Sequence, residues 1–245
     1  MLMWSIAKRE LRLFFSSPIG YLILGTYLLV NGLLLWVFDS QYNVLSAGFG
    51  DLAPFFESAP LLLLFLIPAL TMRSFAEERS DGTLELLLTK PITPYKIIMG
   101  KFLGIFLLVL CALLPTLTNL IAVNELLQDS SFIDWGSMGL SYLGLLLVCS
   151  VFISIGISTS IRFNSQVTAF MVALLICFFH FYGWGFIADT LTSNNLYNFV
   201  LRLGIQEHYY SLSRGVLVFE DVWYFALNCF IFIYFTRNAI KQIQK

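Results

Sequence analysis

Charged residues are scarce in this chain: Asp, Glu, Lys and Arg make up 12% of its 245 residues, about half the share found in soluble domains. The formal net charge of -1 lacks the basic excess of a nucleic-acid-binding protein, and so little charge also excludes a disordered chain. Hydrophobic residues make up 58%, which is more than a water-soluble fold of this size can bury. The composition therefore indicates an integral membrane protein.

Sequence motifs of catalysis and metal binding are also missing. The only two histidines, His180 and His208, are too far apart for the His-Glu-x-x-His motif of zinc proteases. The nucleotide-binding pattern Gly-x-x-x-x-Gly-Lys-Ser/Thr is absent, because the single Gly-Lys pair, at 100–101, has Tyr95 and Phe102 at the other required positions. The four cysteines fit neither a zinc site nor a disulfide framework. We expect no catalytic residue, no metal site and no cofactor bound by this chain.

Long hydrophobic runs are what the sequence has in abundance. A helix needs about 20 mostly apolar residues to cross the hydrocarbon core of a bilayer. We therefore predict an all-α membrane protein with a single transmembrane domain over residues 1–245. Its six predicted spans lie at residues 19–38, 53–72, 97–123, 137–161, 167–188 and 222–240. The sixth run is the shortest in apolar residues.

The distribution of Lys and Arg predicts the orientation. Of the 14 basic residues, all except Arg202 and Arg214 fall in segments that a six-span topology places on one side. Cytoplasmic loops carry the excess of basic residues in membrane proteins. Both termini are therefore predicted to be cytoplasmic, and the segment at 73–96 is predicted to be a cytoplasmic loop.

Residues 1–17 have the periodicity of an amphipathic helix lying in the membrane interface. Lys8, Arg9 and Arg12 follow one face, near anionic headgroups, and Trp4 begins the other. The predicted apolar face consists of Trp4, Ala7, Leu11, Phe14 and Phe15. Pro18 favours a break before the first span. The alternative is an ordinary basic anchor without interfacial helicity.

The predicted loop at 73–96 contains a Ser-Asp-Gly turn followed by a short helix at 83–89. Three leucines share one face of this helix: Leu84, Leu87 and Leu88. A helix this short needs a partner surface to be stable. The spacing alone supports a partner protein no better than the alternative, in which the leucines contact the lipid interface or the chain's own helices.

Polar side chains are few inside the predicted spans, as in membrane proteins generally. We interpret Asn31, Asn119 and Asn228 as residues that bond neighbouring helices to each other. His180 lies in an aromatic stretch and is interpreted as a packed histidine bonded to a neighbouring helix, in preference to the proton relay of a secondary transporter.

Two motifs resemble those of the permease subunits of ABC-2 type ABC transporters. Residues 77–91 are similar to that family's Glu-Glu-Lys/Arg-x-x-Gly-Thr-Leu-Glu-x-Leu-Leu-x-x-Pro segment, and residues 213–216 and 221–225 are similar to its motif before the sixth span. The resemblance implies ATPase-coupling roles for Glu77, Glu78, Arg79, Gly82, Thr83, Leu84, Glu85, Leu87 and Leu88. It implies an outer motif of Arg214, Gly215, Asp221 and Tyr224. Within the family, the chain looks most like the permeases associated with gliding motility.

The resemblance also implies an architecture and partners. The N-terminal helix would be a connecting helix, the helix after Gly82 a coupling helix, and the outer loop at 189–221 would form short re-entrant helices. The expected partners are an ABC ATP-binding subunit that binds ATP and magnesium, a second permease in a homo- or heterodimer, and membrane lipid, with no nucleic acid. We therefore expect a permease of an ATP-driven exporter in the inner membrane, supporting gliding motility. The alternative is a membrane anchor of a motility or secretion machine that moves no solute.

Overall fold

The computed structural model describes residues 2–46, 52–89, 92–126 and 134–244, and these residues contain helices but no strand. The first seven helices are α1 (Leu2–Ser16), α2 (Pro18–Trp36), α3 (Ala53–Thr71), α4 (Arg73–Ser80), α5 (Thr83–Leu88), α6 (Pro94–Leu113) and α7 (Leu117–Leu126). The remainder are α8 (Trp135–Ser160), α9 (Gln166–Phe178), α10 (Trp184–Ala188), α11 (Asn194–Leu201), α12 (Ile205–Ser213) and α13 (Phe219–Ile243). The all-α prediction is confirmed for the described residues.

Helical segments long and apolar enough to cross a membrane coincide with five of the six predicted spans. They are Pro18–Trp36, Ala53–Ser80, Pro94–Leu126, Trp135–Ser160 and Gln166–Ala188. The sixth predicted span lies in α13, which has 25 residues but falls short of the same criterion. Acidic residues near its start and basic residues near its end leave a short apolar middle. A sixth crossing stays a prediction.

The start of the segment predicted as a loop at 73–96 is helical instead. Helix α4 follows α3 with only Met72 between them, so the helical segment continues to Ser80. No Pro or Gly occurs between Pro68 and Gly82 to end it earlier. The charged residues of α4 are therefore held on a helix that extends directly from a predicted span.

The third predicted span is interrupted at Pro115. Helix α6 ends at Leu113, a 3₁₀ turn covers Leu114–Thr116, and α7 continues from Leu117. Proline lacks the backbone N–H that an α-helix needs at that position, so the tighter turn is the local solution.

Helix α8 forms the centre of the fold, with α3, α6, α9, α12 and α13 packed around it. Its residues from Val151 to Ser160 are all buried. Its first half contacts α12, where Ser141 Oγ donates to the carbonyl of Ser213 at 3.0 Å. Its last residue, Ser160, contacts α4. Ser141 and Ser160 are separated along the helix axis by roughly 29 Å, close to the thickness of a hydrocarbon core.

Helix α1 packs along α6 because two glycines leave room for it. A Cβ on Gly100 would lie 2.8 Å from Ile6 Cβ, and one on Gly104 would lie 2.8 Å from Glu10 Cβ. Ile6 and Ala7 are buried, whereas Trp4 is 51% exposed. Of the predicted apolar face, Ala7 therefore packs inside the protein and Trp4 does not, whereas Ile6, which lies outside that face, packs against Gly100. Placement of α1 in a membrane interface stays a prediction.

Polar residues inside the spans bond neighbouring helices, as predicted. Trp36 Nε1 donates to Asn119 Oδ1 at 3.0 Å, and Asn119 Nδ2 donates to Asn31 Oδ1 at 3.5 Å. His180 lies in a π-helical turn at Phe179–Gly183. Its Nδ1 accepts from Trp184 Nε1 at 3.3 Å.

The same geometry assigns the tautomer of His180. Because Nδ1 accepts a hydrogen bond, Nε2 carries the proton and donates to Asn228 Oδ1 at 2.8 Å. The neutral ring of His180 thus joins the π-helical turn that follows α9 to Asn228 of α13. The interpretation of a packed histidine is confirmed, and neither ring nitrogen is left free to relay a proton.

Candidate coupling junction

A left-handed glycine separates α4 from α5. Gly82 has φ 68°, a conformation that residues with a Cβ adopt only at a cost. Thr83 Oγ1 reaches back across the turn and donates to the carbonyl of Glu78 at 3.2 Å. The Ser-Asp-Gly turn and the short helix after it are both confirmed, with α5 ending at Leu88, one residue before the predicted end.

The beginning of α4 is attached to the end of α8 through one hydroxyl group. Ser160 Oγ accepts hydrogen bonds from the backbone N–H groups of Phe75 and Ala76, at 2.9 and 3.0 Å. It also donates to the carbonyl of Met72 at 3.0 Å. The first N–H groups of a helix have no partner within that helix, so Ser160 acts as a capping residue from another helix.

A second bond joins the far end of α4 to the same place. Arg79 Nη1 donates to the carbonyl of Ile161 at 3.0 Å. Both ends of α4 are thus fixed to the end of α8, and α4 has little freedom to move without it.

A buried ion network joins α4 to α1 and α6. Lys101 Nζ lies 2.9 Å from Glu10 Oε1 and 3.1 Å from Glu78 Oε1, and it also donates to the carbonyl of Ser74. Arg9 Nη2 lies 3.0 Å from the same oxygen of Glu78. The Lys101 side chain is 1% exposed, whereas that of Arg9 is 49% exposed. Two cations and two carboxylates therefore alternate across three helices.

The buried part of this network has the larger energetic weight. Breaking a buried ion pair by removing one partner costs about 3–5 kcal/mol, because the other charge stays buried without compensation. The pair between half-exposed Arg9 and Glu78 is worth about 1 kcal/mol or less. Lys101 is consequently the residue on which the attachment of α1 and α4 to α6 depends most.

Sequence reasoning missed this network. It counted Lys101 among the basic residues on the cytoplasmic side although Lys101 falls inside the predicted span at 97–123, and it assigned Glu10 no role. The available signal was a lysine inside a predicted apolar span, since an ionisable residue at such a position usually has a partner. Its partners Glu10 and Glu78 belong to segments distant in sequence, so only the packing identifies them.

The residues of the predicted coupling segment divide into buried and exposed sets. Glu78 and Arg79 bond within the chain, and Leu84 is buried, with 2% of its surface exposed. Glu77 pairs with Arg73 at 2.9 Å, whereas Glu85 is exposed.

The remaining predicted site residues of α1, the Gly82 turn and α5 are either exposed or lie outside the described side chains. Thr83 and Gly82 are exposed, and Lys8 lies 5.8 Å above the ring of Trp4. Arg12 is also exposed. The side chains of Leu87 and Leu88 lie outside the described residues, so that part of the predicted leucine face stays a prediction.

Two residues of the predicted outer motif, Asp221 and Tyr224, are brought together through His208 at the other end of α8. His208 Nδ1 lies 2.6 Å from Asp221 Oδ1, and its ring stacks on Tyr224 with centroids 4.0 Å apart. Gly215 has φ 78°, and a Cβ there would lie 2.7 Å from Ser137 Oγ. Arg214 is exposed and does not join this cluster.

The outer motif includes a histidine that sequence reasoning did not assign to it. His208 Nε2 lies 2.8 Å from the carbonyl of Arg202, which accepts only, and Nδ1 faces the carboxylate of Asp221. The ring of His208 therefore bridges the carbonyl of Arg202 and the carboxylate of Asp221. The contact with Asp221 connects α12 to the start of α13.

The fold and the contacts of α4 define a multi-pass helical membrane protein. Its membrane helices are linked at one end to the short helix–turn–helix formed by α4 and α5. The family model described as "ABC-2 family transporter protein" matches residues 4–228. The chain therefore belongs to the ABC-2 family of transporter proteins, and the resemblance noted from its motifs is confirmed at the family level. A comparison with curated proteins finds no match. Family membership makes this chain a membrane permease of an ABC exporter and implies partnership with an ABC ATPase subunit.

Proposed function

We propose that α4 and α5 receive the motion of the ATPase subunit and transmit it to the membrane helices. The observation that carries this proposal is the attachment of α4 to three other helices. Ser160 and Ile161 connect it to α8, Lys101 to α6 and Arg9 to α1. A displacement of α4 must therefore displace these helices with it or break their bonds. Such a packed element has discrete arrangements, which nucleotide binding can bias.

In this proposal ATP and magnesium bind to the partner subunit. This chain supplies the exposed part of α5, including Glu85, as the contact surface, together with the leucines that follow it. The α4–α5 end is cytoplasmic, and both termini lie on that side of the inner membrane. Two permease chains assemble with the ATPase, and their substrate passes between membrane helices. The basic residues of the sequence support this orientation.

Co-purification tests the contact surface. We expect the charge reversal Glu85→Arg and the substitution Leu87→Asp to release the ATPase subunit from the affinity-purified permease. The control is Glu207→Arg, an exposed acid on α12 at the other end of α8. Retention of the ATPase by both α5 variants would contradict the coupling role, provided that the control also retains it.

Labelling tests the orientation. Single cysteines replacing Glu85 and Glu207, in a chain with its four cysteines changed to serine, should react with a membrane-impermeant maleimide from opposite sides. Reaction of position 85 in intact cells would overturn the cytoplasmic assignment.

We also propose that the exporter supports gliding motility. Its overall similarity to the permeases associated with that movement supports this role. Deletion of the gene should abolish colony spreading, and expression of the intact chain should restore it. A substrate that stimulates ATP hydrolysis in liposomes containing the complex would support transport. Motility that depends on ATP hydrolysis without any such substrate would instead favour the anchor function.

A further inference from the structure

A cavity of about 330 Å³ lies beside the coupling junction, between α1, the start of α2, the end of α3 with α4, and α6. We propose that this cavity binds the headgroup of an amine-bearing phospholipid of the phosphatidylethanolamine type. The inference goes beyond the proposed coupling function, because it needs only the membrane position of these helices and no ATPase.

One residue of the cavity wall, Glu78, has a buried carboxylate oxygen without a partner. Glu78 is 8% exposed, and while its Oε1 accepts from Lys101 and Arg9, its Oε2 is buried and forms no hydrogen bond in the described structure. The hydroxyl of Ser74, which also lines the cavity, is likewise buried and without a partner. A buried acceptor left unpaired is costly, so this wall favours a ligand that brings N–H donors.

The charge around Glu78 indicates an ammonium group. Its neighbours in the cavity wall include three further carboxylates: Glu10, Glu77 and Asp81. The cations that line the cavity are Arg9 and Arg73, each of which already pairs with a carboxylate. Lys101 also pairs with Glu10 and Glu78, so the four carboxylates outnumber the three cations by one. A primary ammonium has three N–H donors and a positive charge, which match an unpaired carboxylate oxygen and a nearby hydroxyl.

The two arginines are positioned for a phosphate next to that amine. The side chains of Arg9 and Arg73 are 49% and 33% exposed, so they line the outer part of the cavity. Each guanidinium has five N–H donors, and their pairs with Glu78 and Glu77 use only some of them. Amine and phosphate sites side by side correspond to a zwitterionic headgroup.

The remaining walls are apolar and belong to membrane-associated helices. They include Leu13, Phe14, Ile19, Ile23, Leu70 and Leu108. Leu13 is 54% exposed and Ile19 is 49% exposed, which leaves apolar surface at the edge of the cavity. Acyl chains would cover this surface, whereas a lysine side chain of a partner protein would leave it open. The apolar walls therefore favour a lipid over a protein side chain.

Competition between lipids in native mass spectrometry tests the proposal. The full chain, purified in detergent, is offered equal amounts of phosphatidylethanolamine, phosphatidylcholine and phosphatidylglycerol. We expect the ethanolamine lipid to be retained preferentially by about tenfold, because the choline headgroup has no N–H and the glycerol headgroup has no positive charge. Equal retention of all three, or preference for the glycerol lipid, would overturn the proposal.

Two variants locate the binding. Glu78→Gln should lower retention of the ethanolamine lipid by about tenfold, and Ser74→Ala should lower it by a few-fold. Ser74→Ala removes a hydroxyl without an intramolecular partner, so the chain folds even where Glu78→Gln does not. The control is Ser80→Ala, an exposed serine on the same helix. Unchanged retention in Ser74→Ala, or a cross-link from the cavity to a lysine of the ATPase in the intact complex, would contradict a lipid site.

Discussion

Replacing Lys101 with methionine removes the positive charge from the centre of the ion network that joins α4 to α1 and α6, while keeping a side chain of similar length. Glu78 retains its bond to Arg9, but Glu10, whose side chain is 14% exposed, loses its only ion-pair partner among the described residues. Because Glu10 has some access to water, the loss should lie near the lower end of the range for buried pairs, about 3 kcal/mol. For a chain of this length that corresponds to a fall in Tm of about 6–12 °C.

The assay is thermal unfolding of the purified chain in detergent, followed by circular dichroism. The matched control is Lys96→Met, because Lys96 lies on the same helix, α6, but is exposed. Its stability should change by less than about 0.5 kcal/mol. The double variant Glu10→Gln/Lys101→Met no longer has an unpaired carboxylate, so it should regain about half of the lost stability.

Two results would refute this reasoning. If Lys101→Met unfolds at the same temperature as Lys96→Met, the buried ion pairs do not stabilise the junction. If Glu10→Gln fails to restore stability to Lys101→Met, the loss comes from packing and not from an uncompensated charge.

Three further variants test individual contacts. Ser160→Ala leaves two backbone N–H groups of α4 without an acceptor and should destabilise the chain by about 1–3 kcal/mol in the same thermal assay. Gly104→Ala places a methyl group against α1 and should cost about 1–3 kcal/mol and speed tryptic cleavage within α1. Asp221→Ala leaves the His208 ring without its carboxylate and should cost about 1–3 kcal/mol, with faster hydrogen exchange in α12.

Each of these variants has a matched control. Ser150→Ala removes a hydroxyl that bonds only to its own helix, and it should have a smaller effect than Ser160→Ala. A Cβ on Gly139 would meet no atom within 4 Å, so Gly139→Ala should leave α1 protected. Glu220→Ala changes an exposed acid beside Asp221 and should leave exchange in α12 unchanged. A control that behaves like its partner would contradict the contact in question.

Two short sequence motifs each contain a glycine at a position where the fold requires one. Gly82 and Gly215, one in each predicted motif, are the positive-φ glycines among the described residues. The chain must reverse tightly at these positions, and a residue without a Cβ is the local chemical solution. A tight turn depends on a few adjacent residues, so the sequence alone can predict it.

The N-terminal helix illustrates the opposite case. Its helicity and its end before Pro18 follow from the sequence, but the sequence did not show that Ile6 and Glu10 pack on α6. The face that is buried depends on the α6 glycines, which accept Ile6 and Glu10 against their backbone. Helical periodicity states which residues share a face, but it does not state which surface that face will meet.

By itself, the sequence determined an all-helical membrane protein, five of its apolar spanning segments and its two family motifs. These features follow from local composition, because a run of about 20 apolar residues satisfies its backbone in a bilayer only as a helix. Only the tertiary structure decided that Lys101 joins Glu10 and Glu78, and that Ser160 caps α4. These contacts join residues far apart in the chain, and their energies depend on burial, which exists only once the helices have packed.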